Sequence, residues 1–421
     1  MAPDAIARLG APLRQTTIVS ATNGKTTTAG MIAAVLAARG REPIHNRAGS
    51  NMTWGVATAL LDQRGEEGLF EVDEAWLPKV AAELDPGLIV LGNLFRDQLD
   101  RYGEVEILAD EWAALVGERV GRSRFVLNAD DPLIADLGRD REGERREGTV
   151  YFGIDDPSQA LPELQHASDA KHCRRCGHPY AYERAFVGHL GHYACPDCGA
   201  SRPVPDLAAT EIELRGMSGS RSILRLRDGS QLTLSLPLPG LYNVYNALAA
   251  LAAAIELGVP AADAAAALGD VRAAFGRVET VAVGAKSVSI LLIKNPAGAN
   301  EVLRTLALEA GGDGVDLWVG LNDGIADGRD VSWVWDADFE LLAGSVRRVT
   351  CAGTRAPEMA LRLKYAGWPV EAIAVEESIP ASFDRAVDEA PGTLFALPTY
   401  TALLELRKLL ADRGLAKEFW R

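Results

Sequence analysis

The sequence predicts an α/β protein: a phosphate-loop domain built on a parallel sheet, interrupted by a four-cysteine ribbon, and followed by a second α/β domain. Three observations carry this. Short apolar strands alternate with helical stretches over residues 16–128, the pattern of a parallel sheet covered on both faces. Two Cys-x-x-Cys pairs stand in a stretch of their own, residues 171–202. The alternation resumes near Val283 and runs on towards the C-terminus.

In chain order, residues 16–20, 69–72, 87–92 and 124–127 read as strands, with helices over 25–39 and 104–119. The run 136–146 mixes both charges densely and reads as a solvated surface. Hairpin strands are expected at 210–214, 222–226 and 231–236, and helical periodicity returns at Asn243. Strands of the second α/β unit fall at 288–293, 315–319, 347–350 and 393–397. A boundary near Gly284 follows, giving domains 1–283 and 284–421 with the ribbon inserted at about 168–205.

At 421 residues the chain exceeds one ordinary core, which agrees with two large domains. A net charge of −15 argues against broad binding along a nucleic-acid backbone, because such binding depends on neutralising phosphates with Lys and Arg. The first fourteen residues lack the apolar stretch of a signal peptide. The most apolar later segment, 247–268, is broken by Glu256, Pro260 and Asp263, so it reads as two buried helices rather than a membrane span. A cytoplasmic protein is expected.

Ala21-Thr22-Asn23-Gly24-Lys25-Thr26-Thr27-Thr28 follows a strand and opens a helix. That context suits a phosphate loop: backbone N–H groups cradle phosphate oxygens, Lys25 reaches the β- and γ-phosphates and Thr26 ligates Mg²⁺. The first glycine of the general pattern would fall at Val19, so the pattern is not met in full. Glu71-Val72-Asp73-Glu74 ends a strand on the side where an open parallel sheet places its ligands. Strand alternation would point Glu71 and Asp73 to one face and Glu74 to the other, unless the chain has already turned. Carboxylates here would hold a phosphate-bridging Mg²⁺; a solvated strand end is the plain alternative.

Cys173, Cys176, Cys195 and Cys198, with 18 residues between the pairs and a glycine after each pair, have the spacing of a Cys₄ zinc ribbon rather than of two disulfides. Four thiolates close the coordination sphere, so the expected Zn²⁺ is structural. His172, His178, His189 and His192 are expected as neighbours, not ligands. Cys351 reads as a small buried hydrophobe.

Thr22-Asn23-Gly24-Lys25-Thr26-Thr27 resembles the phosphate loop of the Mur ligase superfamily, with Ala21 where members usually carry glycine. The resemblance extends through Asn93-Leu94-Phe95-Arg96-Asp97-Gln98-Leu99-Asp100-Arg101-Tyr102-Gly103 and Asn128-Ala129-Asp130-Asp131-Pro132. It implies an adenine-contacting helix start at Asn243 and Asn246, and an arginine at Arg277 that offsets charge on the transferred phosphoryl group. Relatives often carry a carbamylated lysine where this chain has Asp110, Glu111 and Trp112. Either a carboxylate replaces the carbamate charge or the second Mg²⁺ site differs.

Only about twenty residues precede the loop, too few for the superfamily's N-terminal UDP-holding domain, so a lipid-linked substrate is expected. The segment from Asp327 to Asp336, the run from Leu397 to Ala402 and the ribbon together resemble a branch in which the ligase-like chain is one subunit of two. That resemblance implies ATP-dependent amidation of the α-carboxylate of D-glutamate in the lipid II stem peptide, through an acyl phosphate, at the inner membrane face. The ammonia would come from a GatD-type glutamine amidotransferase partner. It implies a role for an aspartate, Asp330 or Asp336, in catalysis or in completing the partner's Cys/His site, with Asp336 favoured. Packing of Trp333 and Trp335, with both aspartates capping turns, is the structural alternative. Rival functions are a ligase that joins an amino acid to a carboxylate, a zinc-ribbon nucleic-acid-binding ATPase, and a scaffold with a vestigial nucleotide site.

Overall fold

The computed structural model describes residues 4–47, 50–96, 105–165, 168–271, 278–311 and 314–416. They divide into two compact units, one of described residues before 273 and one of those after it, the second also taking in Arg215–Ser218.

The first unit is built on α1 (Ala5–Gly10), β1 (Gln15–Ser20), α2 (Lys25–Ala38), β2 (Ile44–His45), α3 (Thr53–Asp62), β3 (Glu67–Glu71), α4 (Leu77–Leu84) and β4 (Leu88–Leu91). It continues with α5 (Val105–Arg119), β5 (Arg124–Asn128), α6 (Pro132–Ala135) and β6 (Thr149–Ile154). The hairpin β7 (Ala181–Val187) and β8 (Leu190–Ala194) precedes β9 (Leu207–Leu214), β10 (Ser220–Leu226), β11 (Gln231–Leu236), α7 (Leu241–Glu256) and α8 (Ala261–Gly269).

Nine strands form one sheet in the order β11-β10-β9-β6-β5-β4-β1-β3-β2. Every pair from β2 across to β9 is parallel, and only the β9–β10 and β10–β11 pairs are antiparallel. The expected hairpins are therefore fused to the parallel sheet through β9 and β6. β1 is buried from Thr16 to Ser20 because helices cover both faces, so its sequence shows an apolar run instead of alternation. On one face Ile18, Phe70, Ile89 and Phe125 pack with Ile6, Val56, Val80 and Trp112 from α1, α3, α4 and α5. α2, α7 and α8 pack together.

The charged run 136–146 is less solvated than expected: Arg141, Glu142, Glu144 and Arg145 are exposed, whereas Leu137 and Gly138 are buried and the other residues half-buried. Residues 247–268 form parts of two helices, α7 and α8. Among the described residues no helix is long and apolar enough to cross a membrane.

The second unit comprises β12 (Val278–Val283), β13 (Lys286–Leu291), α9 (Pro296–Glu309), β14 (Val315–Gly320), β15 (Val346–Ala352), α10 (Ala356–Tyr365), β16 (Ile373–Val375), α11 (Ile379–Glu389), β17 (Thr393–Pro398) and α12 (Tyr400–Asp412). The sheet order is β12-β13-β17-β14-β15-β16, parallel throughout except for the β12–β13 hairpin. One apolar cluster takes Val302, Leu303, Met359 and Leu363 from α9 and α10; another takes Phe383, Leu403 and Leu406 from α11 and α12. The boundary expected at Gly284 needs correction. Gly284 (φ +62°) lies in the turn between β12 and β13, whose antiparallel register from Val278↔Leu291 to Val283↔Lys286 ties β12 to the second unit.

Candidate nucleotide site and metal centre

β1 ends at Ser20, and the chain turns through Ala21–Gly24 into α2, so the first N–H groups of a fourteen-residue helix open at the loop. Gly24 sits at φ +90°, and a Cβ there would lie 2.0 Å from Asn246 Oδ1; the position admits only glycine. Asn93 clamps the loop from the next strand end. Its side chain accepts from Asn23 N–H and donates to Asn23 O, both at 2.9 Å, and its carbonyl accepts from Thr22 N–H at 2.9 Å.

Asn246 on α7 accepts from Thr28 Oγ1 at 3.3 Å and donates to Asn243 Oδ1 at 3.1 Å, while Asn243 donates to Pro239 O at 2.8 Å. The fold thus brings Asn243 and Asn246, more than two hundred residues away in sequence, against the phosphate loop. A cleft beside them is lined by Ala21, Asn23, Gly92, Asn93, Tyr245 and Asn246.

Glu71, Asp73 and Glu74 are all buried, and all three face Lys25, so the chain has turned before Glu74 and the carboxylates converge. Lys25 Nζ lies 2.7 Å from Glu74 Oε2 and also donates to Ala21 O. Burial works against the ammonium, but Glu74, Asp73 and Glu71 outweigh it and raise the Lys25 pKa above its ordinary value. Thr26 Oγ1 donates to Glu71 Oε1 at 2.9 Å, and Glu71 Oε2 is buried with no hydrogen-bond partner. Three carboxylates against one ammonium, with an orphaned carboxylate oxygen beside a threonine hydroxyl, form a donor set suited to a hard divalent cation.

On α5 the structure decides one expectation. Asp110 is exposed and paired with Arg174 at 2.5 Å, and Glu111 is exposed as well. The helix turns both carboxylates to the surface, which argues against their replacing a carbamate, and places Trp112 inward. The Trp112 Nε1–H donates to the Glu74 carbonyl at 3.0 Å. Trp112 is thus a support for Glu74 that the sequence did not single out. Asn128, Asp130 and Asp131 serve as scaffold: buried Asp130 accepts from Ile154 N–H, Arg202 Nε and Tyr245 Oη, and Asp131 accepts from Leu94 N–H and Leu133 N–H. Arg277 and the stretch from Asp97 to Gly103 lie outside the described residues.

The four cysteines converge as the spacing predicts, with all sulfurs within 4.8 Å of one another. Cys173–Cys198 and Cys176–Cys195 stand at 3.5 and 3.4 Å, too far for the ~2.05 Å S–S bond of a disulfide. Gly177 and Gly199, both at φ +75°, close a tight turn after each pair, donating to Cys173 O and Cys195 O. A backbone hydrogen bond from Cys198 leads the effects that lower the Cys195 thiol to about 6. Such a cluster is a donor set suited to a soft or borderline metal. His192 instead meets Ile154 O at 2.9 Å, and His189 is buried beside Asp131.

In the second unit Asp330 is exposed, and hydrogen bonds from Ser332 hold its carboxyl below the usual range. Asp336 is half-buried at the end of the Ser332–Trp335 turn. Trp333 packs on the core, whereas Trp335 is half-exposed against Tyr365 and Arg362. The Cys351 thiol is pushed up to about 12 by burial, as befits an inert core residue.

Two family models match: "Mur ligase middle domain" over residues 19–193 and "MurT ligase C-terminal" over residues 292–403. The lipid II isoglutaminyl synthase (glutamine-hydrolyzing) subunit MurT of Streptococcus pneumoniae is 32% identical over 95% of this chain and 88% of its own length. The subunit of the same name from Staphylococcus aureus is 31% identical over 97% of this chain and 90% of its own. The chain belongs to the MurT family. Among solved structures, a pseudomurein peptide ligase type C from Methanothermus fervidus aligns at a TM-score of 0.74 and 22% identity, covering 97% of this chain and 80% of that one. MurF from Acinetobacter baumannii aligns at 0.66 and 17% identity, covering 97% of this chain and 78% of that one. At these identities they establish for this MurT-family chain a Mur ligase-like fold.

Proposed function

We propose that this chain is the ATP-using synthetase subunit of a lipid II isoglutaminyl synthase, a carbon–nitrogen ligase of peptidoglycan synthesis. The observation that carries the reading is the convergence of Lys25, Thr26, Glu71, Asp73 and Glu74 at the opening of α2, in a chain 32% identical to a subunit of that name. A carboxylate is a poor electrophile. Transfer of the γ-phosphoryl group from ATP to the α-carboxylate of D-glutamate in the lipid II stem gives an acyl phosphate and ADP. Ammonia then attacks the acyl carbon and phosphate leaves, giving D-isoglutamine.

In this scheme the loop N–H groups of Thr22–Thr27 and the Lys25 ammonium grip the phosphates, and Thr26 with Glu71, Asp73 and Glu74 would hold Mg²⁺. When bound, Mg²⁺ neutralises charge on the phosphoryl oxygens. Asn243 and Asn246 set the nucleotide end, and Arg277 offsets charge on the transferred group. The cysteine cluster would hold structural Zn²⁺, since S···S edges of about 3.8 Å follow from tetrahedral Zn–S bonds of ~2.3 Å.

The ammonia source is a GatD-type glutaminase in a heterodimer, met by the C-terminal unit. Asp336 is favoured over Asp330 to complete the partner's Cys/His site. The lipid-linked substrate places the complex at the inner face of the cytoplasmic membrane.

The test is reconstitution: this chain, a GatD-type glutaminase, glutamine, ATP·Mg²⁺ and lipid II. Amidated lipid II should form and require both subunits. Amino-acid addition without amidation would favour an ordinary Mur-type ligase instead.

A further inference from the structure

We propose that His189 is a positioning residue for nucleotide binding, holding from the tip of the cysteine ribbon's hairpin the segment that clamps the phosphate loop. This rests on the nucleotide site proposed above. His189 follows Gly188 in the turn between β7 and β8 and is fully buried. Its ring lies against Phe95, centroids 4.5 Å apart. Nδ1 accepts from Asp169 N–H at 3.4 Å, and Nε2 stands 3.4 Å from Asp131 Oδ2, close enough for charge attraction but short of a well-formed hydrogen bond.

The two aspartates beside His189 hold the residues flanking Phe95. Asp131 Oδ2 accepts from Leu94 N–H at 2.9 Å, and Asp169 accepts from Arg96 N–H at 2.9 Å and from Arg96 Nε at 2.6 Å. Leu94, Phe95 and Arg96 are thus each fixed by His189 or by an aspartate it contacts, Asp131 through its carboxylate and Asp169 through its backbone N–H. The next link is the phosphate loop itself. Phe95 N–H donates to Thr22 Oγ1 at 3.0 Å, that hydroxyl donates to Phe95 O at 3.3 Å, and Asn93 clamps Thr22 and Asn23.

The approach is close enough to constrain the turn. Gly188 has φ +55°, and a Cβ there would come within 2.8 Å of Phe95 Cε1. An apolar ring at position 189 would keep the stacking but leave the Asp169 N–H without its acceptor and the buried Asp131 Oδ2 without the imidazole Nε2 beside it.

The experiment titrates ATP·Mg²⁺ into the full-length chain, with zinc content measured for every variant. His189→Ala should raise the Kd for ATP about ten-fold or more at unchanged zinc content, His189→Gln should recover part of the loss, and His192→Ala, on the same hairpin, should stay within about two-fold of wild type. In the reconstituted reaction the defect should fall on KM for ATP, with kcat at saturating ATP little changed. A folded, zinc-holding His189→Ala with wild-type Kd overturns the proposal. Should His189→Ala fail to fold, Phe95→Leu decides: a raised Kd supports the linkage and an unchanged Kd overturns it. A wild-type chain that binds no ATP would instead sink the proposed function.

Discussion

Lys25 Nζ and Glu74 Oε2 lie 2.7 Å apart with both side chains buried, so the cation proposed to grip phosphate is paired with one of the candidate metal ligands. Breaking such a pair from one side leaves an uncompensated buried charge, at a cost of about 3–5 kcal/mol. Lys25→Ala should therefore destabilise the first unit and also remove the charge that meets the phosphates. ATP turnover in the reconstituted pair should fall by about 10²–10³, the usual scale for losing one electrostatic stabiliser of a transition state. Turnover equal to wild type would mean that the phosphate site lies elsewhere.

Trp112 gives a more selective test of the same corner. Its indole N–H reaches the backbone carbonyl of Glu74, so Trp112→Phe keeps most of the ring and deletes one hydrogen bond. A buried carbonyl left unpaired costs about 1–3 kcal/mol. The loss should appear as a lower melting temperature, and as a fall in kcat greater than the rise in KM for ATP, because the affected residue is a candidate cation ligand rather than a phosphate cradle. A variant with lowered stability and unaltered kinetics would reduce Trp112 to packing.

Much of this site was legible in the sequence, and the exceptions have physical reasons. Gly-Lys-Thr after a strand announced the loop, and two Cys-x-x-Cys pairs announced the cluster, because both features are local and their spacing is the chemistry. The acidic run was found, but the sequence left open whether the chain turns before Glu74, since the turn after Glu71 is set by tertiary contacts such as Asp73 N–H to Asn51 O. Asn93 stood inside a quoted motif without a role; its clamp on Thr22 and Asn23 spans seventy residues. The boundary was set at Gly284 because the strand pattern was read as resuming near Val283, and only the pairing with β13 shows that β12 belongs to the second unit.

The cysteine cluster predicts a defined response to metal loss. Four sulfurs within 4.8 Å can all ionise only with a cation among them, so a metal bound there would stabilise the folded ribbon. We expect about one zinc per chain, a fall in melting temperature on chelation, and a similar fall in Cys195→Ser without chelator. Elemental analysis and thermal unfolding check this together. A chain that carries no metal and melts identically with and without chelator would leave the four sulfurs as ordinary buried and exposed thiols.

The last prediction concerns pH. Burial pushes His189 towards the neutral form, but the charge and contact of Asp131, with a further contribution from Asp169, outweigh it and raise its pKa above 6.5. Arg96, paired with Asp169 at 2.6 Å, shares that second carboxylate. Protonation gives up the long Asp169 N–H bond that only a neutral Nδ1 accepts, but the attraction of Asp131 outweighs that loss; because the folded-state pKa exceeds the unfolded one, protonation favours the folded chain. The stabilisation is complete below about pH 6.5 and is lost as pH rises through the folded value. Thermal unfolding of wild type and His189→Gln should therefore differ most at about pH 6 and converge towards alkaline pH, where the histidine has given up its proton. A gap that widens with rising pH would mean that His189 is buried neutral and that Asp131 draws its compensation from Leu94 and Leu133 N–H alone.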